Sequence, residues 1–125
     1  MSGVDPDMLS FGGKRVYLAC GNTDMRKSIN GLAVIVEGSF KLDPFDNAIF
    51  VFCNRNRDRI KILEWDGDGF WLYFKRLEKG RFRWPAADEN EATMNLTSQE
   101  LALLLGGPKV VQKILRKEVK IGAVI

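Results

Sequence analysis

RIKILEWDGDGFWLYFKR, residues 59–76, is the stretch on which the fold of this chain turns. Two β-favouring runs, RIKILEW (59–65) and FWLYFKR (70–76), flank Asp66-Gly67-Asp68-Gly69, whose glycines supply the positive φ that tight hairpin turns require. Facing residues in an antiparallel hairpin sum to a constant. Setting Trp65 opposite Phe70 therefore puts Leu63 opposite Leu72, Lys61 opposite Phe74 and Arg59 opposite Arg76. One face carries Trp65, Phe70, Leu63 and Leu72 near the turn, then Lys61, Arg59 and Arg76 away from it. Arg57 and Arg55 continue the alternation if the chain stays extended. Like charges that face each other are unfavourable unless something neutralises them.

Toward the N-terminus, AIFVFC (48–53) is a continuous apolar run suited to a central strand, and LDPFDN (42–47) before it is a turn by composition. RVYLA (15–19), bounded by Gly12-Gly13 and Gly21-Asn22, reads as another strand. Between them, Ile29, Leu32, Ala33 and Val36 recur at helical spacing, so an amphipathic helix is expected over 24–37, capped by Thr23 or Asp24, despite Gly31. Arg26 and Lys27 then sit near its start, where the helix dipole opposes cations; an anionic partner explains them better than stability does.

Toward the C-terminus, GRFRWP keeps basic and aromatic residues alternating until Pro85, and AADENEA reads as an exposed loop. Thr97-Ser98-Gln99-Glu100 fits a capping box leading into LALLL, and Gly106-Gly107-Pro108 stops that helix. The remainder reads as a further helix through Val110, Val111, Ile114 and Leu115, or as a helix passing into a terminal strand at VKIGAVI. These elements predict one α+β domain, with a mainly antiparallel sheet centred on the 59–65/70–76 hairpin and packed by two or three helices.

Composition narrows the chemistry. A chain of 125 residues, 46% hydrophobic and 28% charged, is large enough for one core and too apolar to be disordered throughout. There is no histidine, which excludes Ser-His-Asp and Cys-His catalysis, His-ligated zinc and any imidazole acid or base. Cys20 and Cys53 stand apart in apolar contexts and read as small core residues rather than a disulfide or a metal pair. No apolar run is long enough to span a bilayer, and MSGVDPDMLS lacks the order of a secretory signal, so a soluble, cytoplasmic protein without membrane contact is expected.

Asp66 and Asp68, with Asp58 joining them in space, would hint at a divalent metal, but a calcium loop needs more oxygen ligands in a longer frame. The turn reading is preferred. Nothing in the spacing of Asp24 and the other acids suggests a two-metal carboxylate triad. No metal, cofactor or catalytic residue is therefore assigned.

Charge distribution is more informative than the net +3. From Asn54 to Arg83, Arg55, Arg57, Arg59, Lys61, Lys75, Arg76, Lys79, Arg81 and Arg83 outnumber Asp58, Glu64, Asp66, Asp68 and Glu78. Guanidinium groups attract phosphates through charge and bidentate hydrogen bonds, and Trp71, Tyr73, Phe82 or Trp84 would stack on unpaired bases wherever exposed. With Arg26 and Lys27 these are the candidate nucleic-acid contacts. Arg and aromatic residues also suit protein interfaces, so an adaptor touching protein alone is the competing reading.

Three strings, VYLACGNTDMRKSINGLA, LDPFDNAIFVFCNRNRDRIKILEWDGDGFWLYFKRLEKGRFRWP and LTSQELALLLGG, resemble the TnpB accessory-protein family of the insertion-sequence family numbered sixty-six. The resemblance covers most of residues 15–107. It implies a small protein encoded beside a transposase and needed for efficient transposition, with no established chemistry of its own; joined to the clustered charge, it leads to a non-enzymatic factor with transposase and other element-encoded proteins as partners and element DNA as a contact. It also implies a TnpB-like domain over 15–107, between a flexible segment at 1–14 and a basic tail at 108–125 that departs from the family's usual ending.

Overall fold

The computed structural model describes residues 13–106. Strands β1 (Arg15–Ala19), β2 (Ala48–Cys53), β3 (Arg59–Trp65), β4 (Phe70–Arg76) and β5 (Thr93–Leu96) form one sheet in the order β4-β3-β2-β1-β5. Every neighbouring pair is antiparallel except β1 and β2. Parallel neighbours need a crossover, and the helix α1 (Ile29–Gly38) lies within it. A second helix, α2, opens at residue 98 and continues to residue 106. The fold is α+β, as the alternating and helical patterns require.

All six residues of AIFVFC are buried, because β2 is central and covered on both faces. On one face Ala48, Phe50, Phe52 and Leu63 pack with Leu32 and Val36 of α1. On the other, Ile49, Val51, Cys53, Ile60 and Ile62 pack with Phe82 and with Leu101 of α2. The capping box forms as read: the Glu100 amide donates to Thr97 Oγ1 at 3.0 Å, and the Thr97 amide donates to Glu100 Oε1 at 2.9 Å.

The hairpin register matches the expected one at every position, with Trp65 opposite Phe70, Leu63 opposite Leu72, Lys61 opposite Phe74 and Arg59 opposite Arg76. Two local expectations are corrected. The helix expected over 24–37 starts at Ile29, with Ser28 at the cap. Residues before it close a tight turn instead: the Arg26 amide donates to Asp24 Oδ1 at 2.9 Å and the Lys27 amide to the Asp24 carbonyl at 3.1 Å. A short acidic side chain offers the backbone a local alternative to helix, and here it wins. Arg26 and Lys27 therefore precede α1.

Nor does the strand extend back through Arg57 and Arg55. Asn54 Oδ1 accepts from the amides of Asp58 at 3.0 Å and Arg59 at 2.9 Å, and the chain turns sharply with Arg57 at φ 63°. Arg57 leaves the basic face, and its guanidinium donates to the Gly21 carbonyl at 2.8 Å.

Lys14 ion-pairs with Glu64 at 2.9 Å and donates to the Trp65 carbonyl at 2.9 Å, which ties it to β3. Residues 1–12 of the expected flexible segment, and the tail at 108–125 with its further helix or strand, lie outside the described residues.

Candidate nucleic-acid interface

At the open end of the hairpin, on the α1 face, an open groove of about 790 Å³ is lined by three pieces of chain. The β1–α1 connection brings Asn22, Thr23, Asp24, Met25 and Arg26; the β2–β3 turn brings Asn54, Arg55 and Asn56; β3 and β4 bring Arg59, Lys61, Phe74 and Arg76. Five cationic side chains thus share the groove with a single carboxylate, that of Asp24.

The five are not equivalent. Lys61 Nζ donates to the carbonyls of Met25 and Lys27 at 2.8 Å each, so it braces the β1–α1 connection against the sheet. Arg26 is gripped by Asp24 at 2.7 Å, and its hydrogen bonds pull the Asp24 carboxyl down to about 2. Arg76 pairs with Glu78 at 2.7 Å, with both side chains largely in water. Arg55 and Arg59 are exposed and pair with no carboxylate among the described residues. Arg59 also faces Arg76 across the hairpin, so like charges share one wall of the groove, offset in part by Glu78 on Arg76.

The other candidate cations are dispersed. Lys75, whose register neighbours alternate onto the α2 face, donates to the Leu105 carbonyl at 3.1 Å. Arg81 and Arg83 flank a second groove with Leu77, Phe82 and the end of α2. Lys27 lies beside Asp88 and Glu91 in a third. Lys79 is exposed in the bend after β4, and Arg57 is spent on Gly21.

Among the aromatics, the stacking role considered for Phe82 is corrected: the ring is 5% exposed and belongs to the core beneath α2, so it has no free face. Trp84 is half-buried, packs against the same core and donates its indole N–H to the Ala19 carbonyl at 2.8 Å. Trp71 and Tyr73 are exposed and stacked on each other at 6.2 Å, but strand alternation puts them on the face opposite Arg59, Lys61 and Arg76. The Tyr73 hydroxyl donates to Glu64 at 2.7 Å, and burial together with Glu64 pushes its phenol up. The ring that does share the basic groove is Phe74, 56% exposed. Its register position opposite Lys61, on the basic face of the hairpin, is the signal in the sequence that marks it.

The acids form no metal cluster: among the described residues no three Asp, Glu or Cys side chains converge. Asp66 and Asp68 sit in the hairpin turn, while Asp58 is at the opposite end, accepting from Asn54 Nδ2 at 2.6 Å. Both thiols are free; burial pushes Cys53 up to about 11, and burial with Asp88 and Glu91 raises Cys20. Raised thiols are the reverse of activated nucleophiles.

Comparison with known proteins places this arrangement in a family. The chain is 40% identical over 93 residues to the uncharacterized protein y4hO of Sinorhizobium fredii (strain NBRC 101917 / NGR234), covering 74% of this chain and 79% of that one. It is 31% identical over 112 residues to the uncharacterized protein y4jC of the same strain, covering 87% and 94%. No solved structure matches. No helix among the described residues is long and apolar enough to cross a membrane. The model of the family described as IS66 Orf2 like protein matches residues 14–114; the chain belongs to this family, whose role is accessory to transposition.

Proposed function

We propose that the chain is a non-catalytic transposition factor that holds element DNA in the groove between the β1–α1 connection, the β2–β3 turn and the hairpin, and does so beside the transposase. The observation that carries this reading is the groove's lining of Arg26, Arg55, Arg59, Lys61 and Arg76 against Asp24 alone. A like-charged pair such as Arg59 and Arg76 is relieved when an anion lies between them, and phosphate satisfies guanidinium groups with charge-assisted, bidentate hydrogen bonds. Phe74 beside them offers a stacking face to an unpaired base. Without histidine, a metal cluster or an activated thiol among the described residues, positioning rather than bond-breaking is the chemistry these side chains support.

The competing adaptor reading draws on Trp71 and Tyr73, an exposed aromatic pair on the opposite face that suits a protein partner. Binding of the purified chain to labelled element-end duplex, its single strands and an unrelated duplex, across a salt series with and without transposase, separates the two. Salt-sensitive binding by the chain alone supports DNA contact. Nucleic acid retained only when transposase is present, with a transposase pull-down that survives nuclease, supports the adaptor.

A further inference from the structure

The sheet has two edges, and they differ. β5 is a four-residue edge, TMNL, following the acidic loop DENE, which gives an approaching strand little to pair with. β4 is longer, FWLYFKR, and its first five residues carry no charge and no proline. Trp71, Tyr73 and Phe74 are exposed along it, on both faces of the sheet. Such an edge is a template for another strand.

The hydrogen bonding of the hairpin fixes which backbone groups that strand would meet. The Asp66 amide donates to the Gly69 carbonyl at 3.0 Å and the Leu77 amide to the Asp58 carbonyl at 2.7 Å. Alternation between these two points turns the backbone groups of Trp71, Tyr73 and Lys75 inward to β3. Those of Phe70, Leu72, Phe74 and Arg76 point outward. For antiparallel self-pairing, one register uses all four outward residues: Phe70 opposite Arg76 and Leu72 opposite Phe74, with a two-fold axis through Tyr73. It forms about eight backbone hydrogen bonds, and any other register forms fewer.

That register also sorts the side chains. Arg76 of each copy meets Phe70 of the other, and Lys75 meets Trp71, so cations lie against aromatic rings and no like charges face each other within the paired strands. The acidic turn with Asp66 and Asp68 is directed toward the other copy's open end, where Lys75, Arg76 and Lys79 outnumber Glu78. We infer that two copies of this chain pair through their β4 edges into a continuous ten-stranded sheet, bringing both basic grooves to one face. The inference stands independently of what the grooves bind.

Light scattering of the full chain across a concentration series, combined with cysteine cross-linking, tests it. A mass approaching twice 14.1 kDa is expected as concentration rises. Phe74→Pro removes an outward amide and no inward one, so it is expected to abolish the dimer while leaving the circular dichroism of the fold intact. Tyr73→Cys sits on the axis, where opposed Cα atoms of a non-hydrogen-bonded pair lie about 4.5 Å apart, and is expected to form an intermolecular disulfide. Trp71→Cys, facing Lys75, is expected not to. A chain monomeric at every concentration overturns the inference. So does a dimer that survives a folded Phe74→Pro variant, or cross-linking by Trp71→Cys in preference to Tyr73→Cys.

Discussion

Arg59→Gln separates a binding residue from a structural one, because the two roles predict opposite signs. Arg59 is exposed, lacks a carboxylate partner among the described residues and faces Arg76 on the groove wall. Removing its charge while keeping a polar side chain relieves that like-charged pair, so stability is expected to hold or rise. Binding is expected to fall. Lys61 is engaged by two carbonyls and Arg26 is held by Asp24 inside the groove, whereas the partner of Arg76, Glu78, lies largely in water outside the lining; Arg55, Arg59 and Arg76 are then the principal phosphate contacts, with phosphate displacing Glu78. At about 0.9 per phosphate neutralised on duplex, three contacts give a log–log salt slope of about −2.7, and two give about −1.8. Between about 50 and 200 mM salt the natural chain then loses about 40-fold in affinity and the variant about 12-fold. Fluorescence anisotropy with a labelled duplex gives the slopes, and urea denaturation gives the midpoints. An unchanged slope, or a lowered urea midpoint accompanying the binding loss, refutes the reasoning.

Other residues give independent checks. Asp24→Asn keeps the oxygen that accepts the Arg26 amide but frees the guanidinium, so duplex affinity is expected to increase and the salt slope to steepen by about 0.9. Asn54→Ala removes the acceptor for the Asp58 and Arg59 amides inside a sharp turn and is expected to cost about 2–3 kcal/mol by urea denaturation. Cys53, whose thiol burial raises from 9.0 to about 11, binds its proton more tightly folded than unfolded. Its contribution to stability is therefore intact below pH 9 and is lost as pH rises from 9 to about 11, and Cys53→Ala is expected to flatten that part of the stability profile.

The hairpin was legible because an antiparallel pair joined by a short glycine turn has one degree of freedom, its register, and the Trp65–Phe70 pairing set it. β2 was legible because six consecutive apolar residues leave no solvent face. The parallel pairing of β1 with β2 was not, since crossover connections leave no local pattern to count. Asn54 and Asp58 hid a turn within what looked like alternating arginines; the alternation breaks at Arg57, a non-glycine residue held at positive φ by hydrogen bonds that Asn54 makes to the Arg57 amide and to Asp58 just after it. Asp24 likewise reads equally well as a helix cap and as a turn former, and only the competition between them decides. Of the candidate contacts, the cluster around Arg59 and Arg76 followed from the register. The dispersal of Lys75, Arg81 and Arg83 to the α2 side, and the burial of Phe82, follow from where α2 packs, which a one-dimensional charge count does not contain.

The central claim is that DNA lies in the α1-side groove, and NMR titration of isotope-labelled chain with an element-end duplex tests it most directly. The account predicts amide shift changes concentrated at residues 22–27, 54–61 and 74–76. Changes confined to Trp71, Tyr73 and the α2 side, or no changes at a salt concentration where binding is measurable, would contradict it.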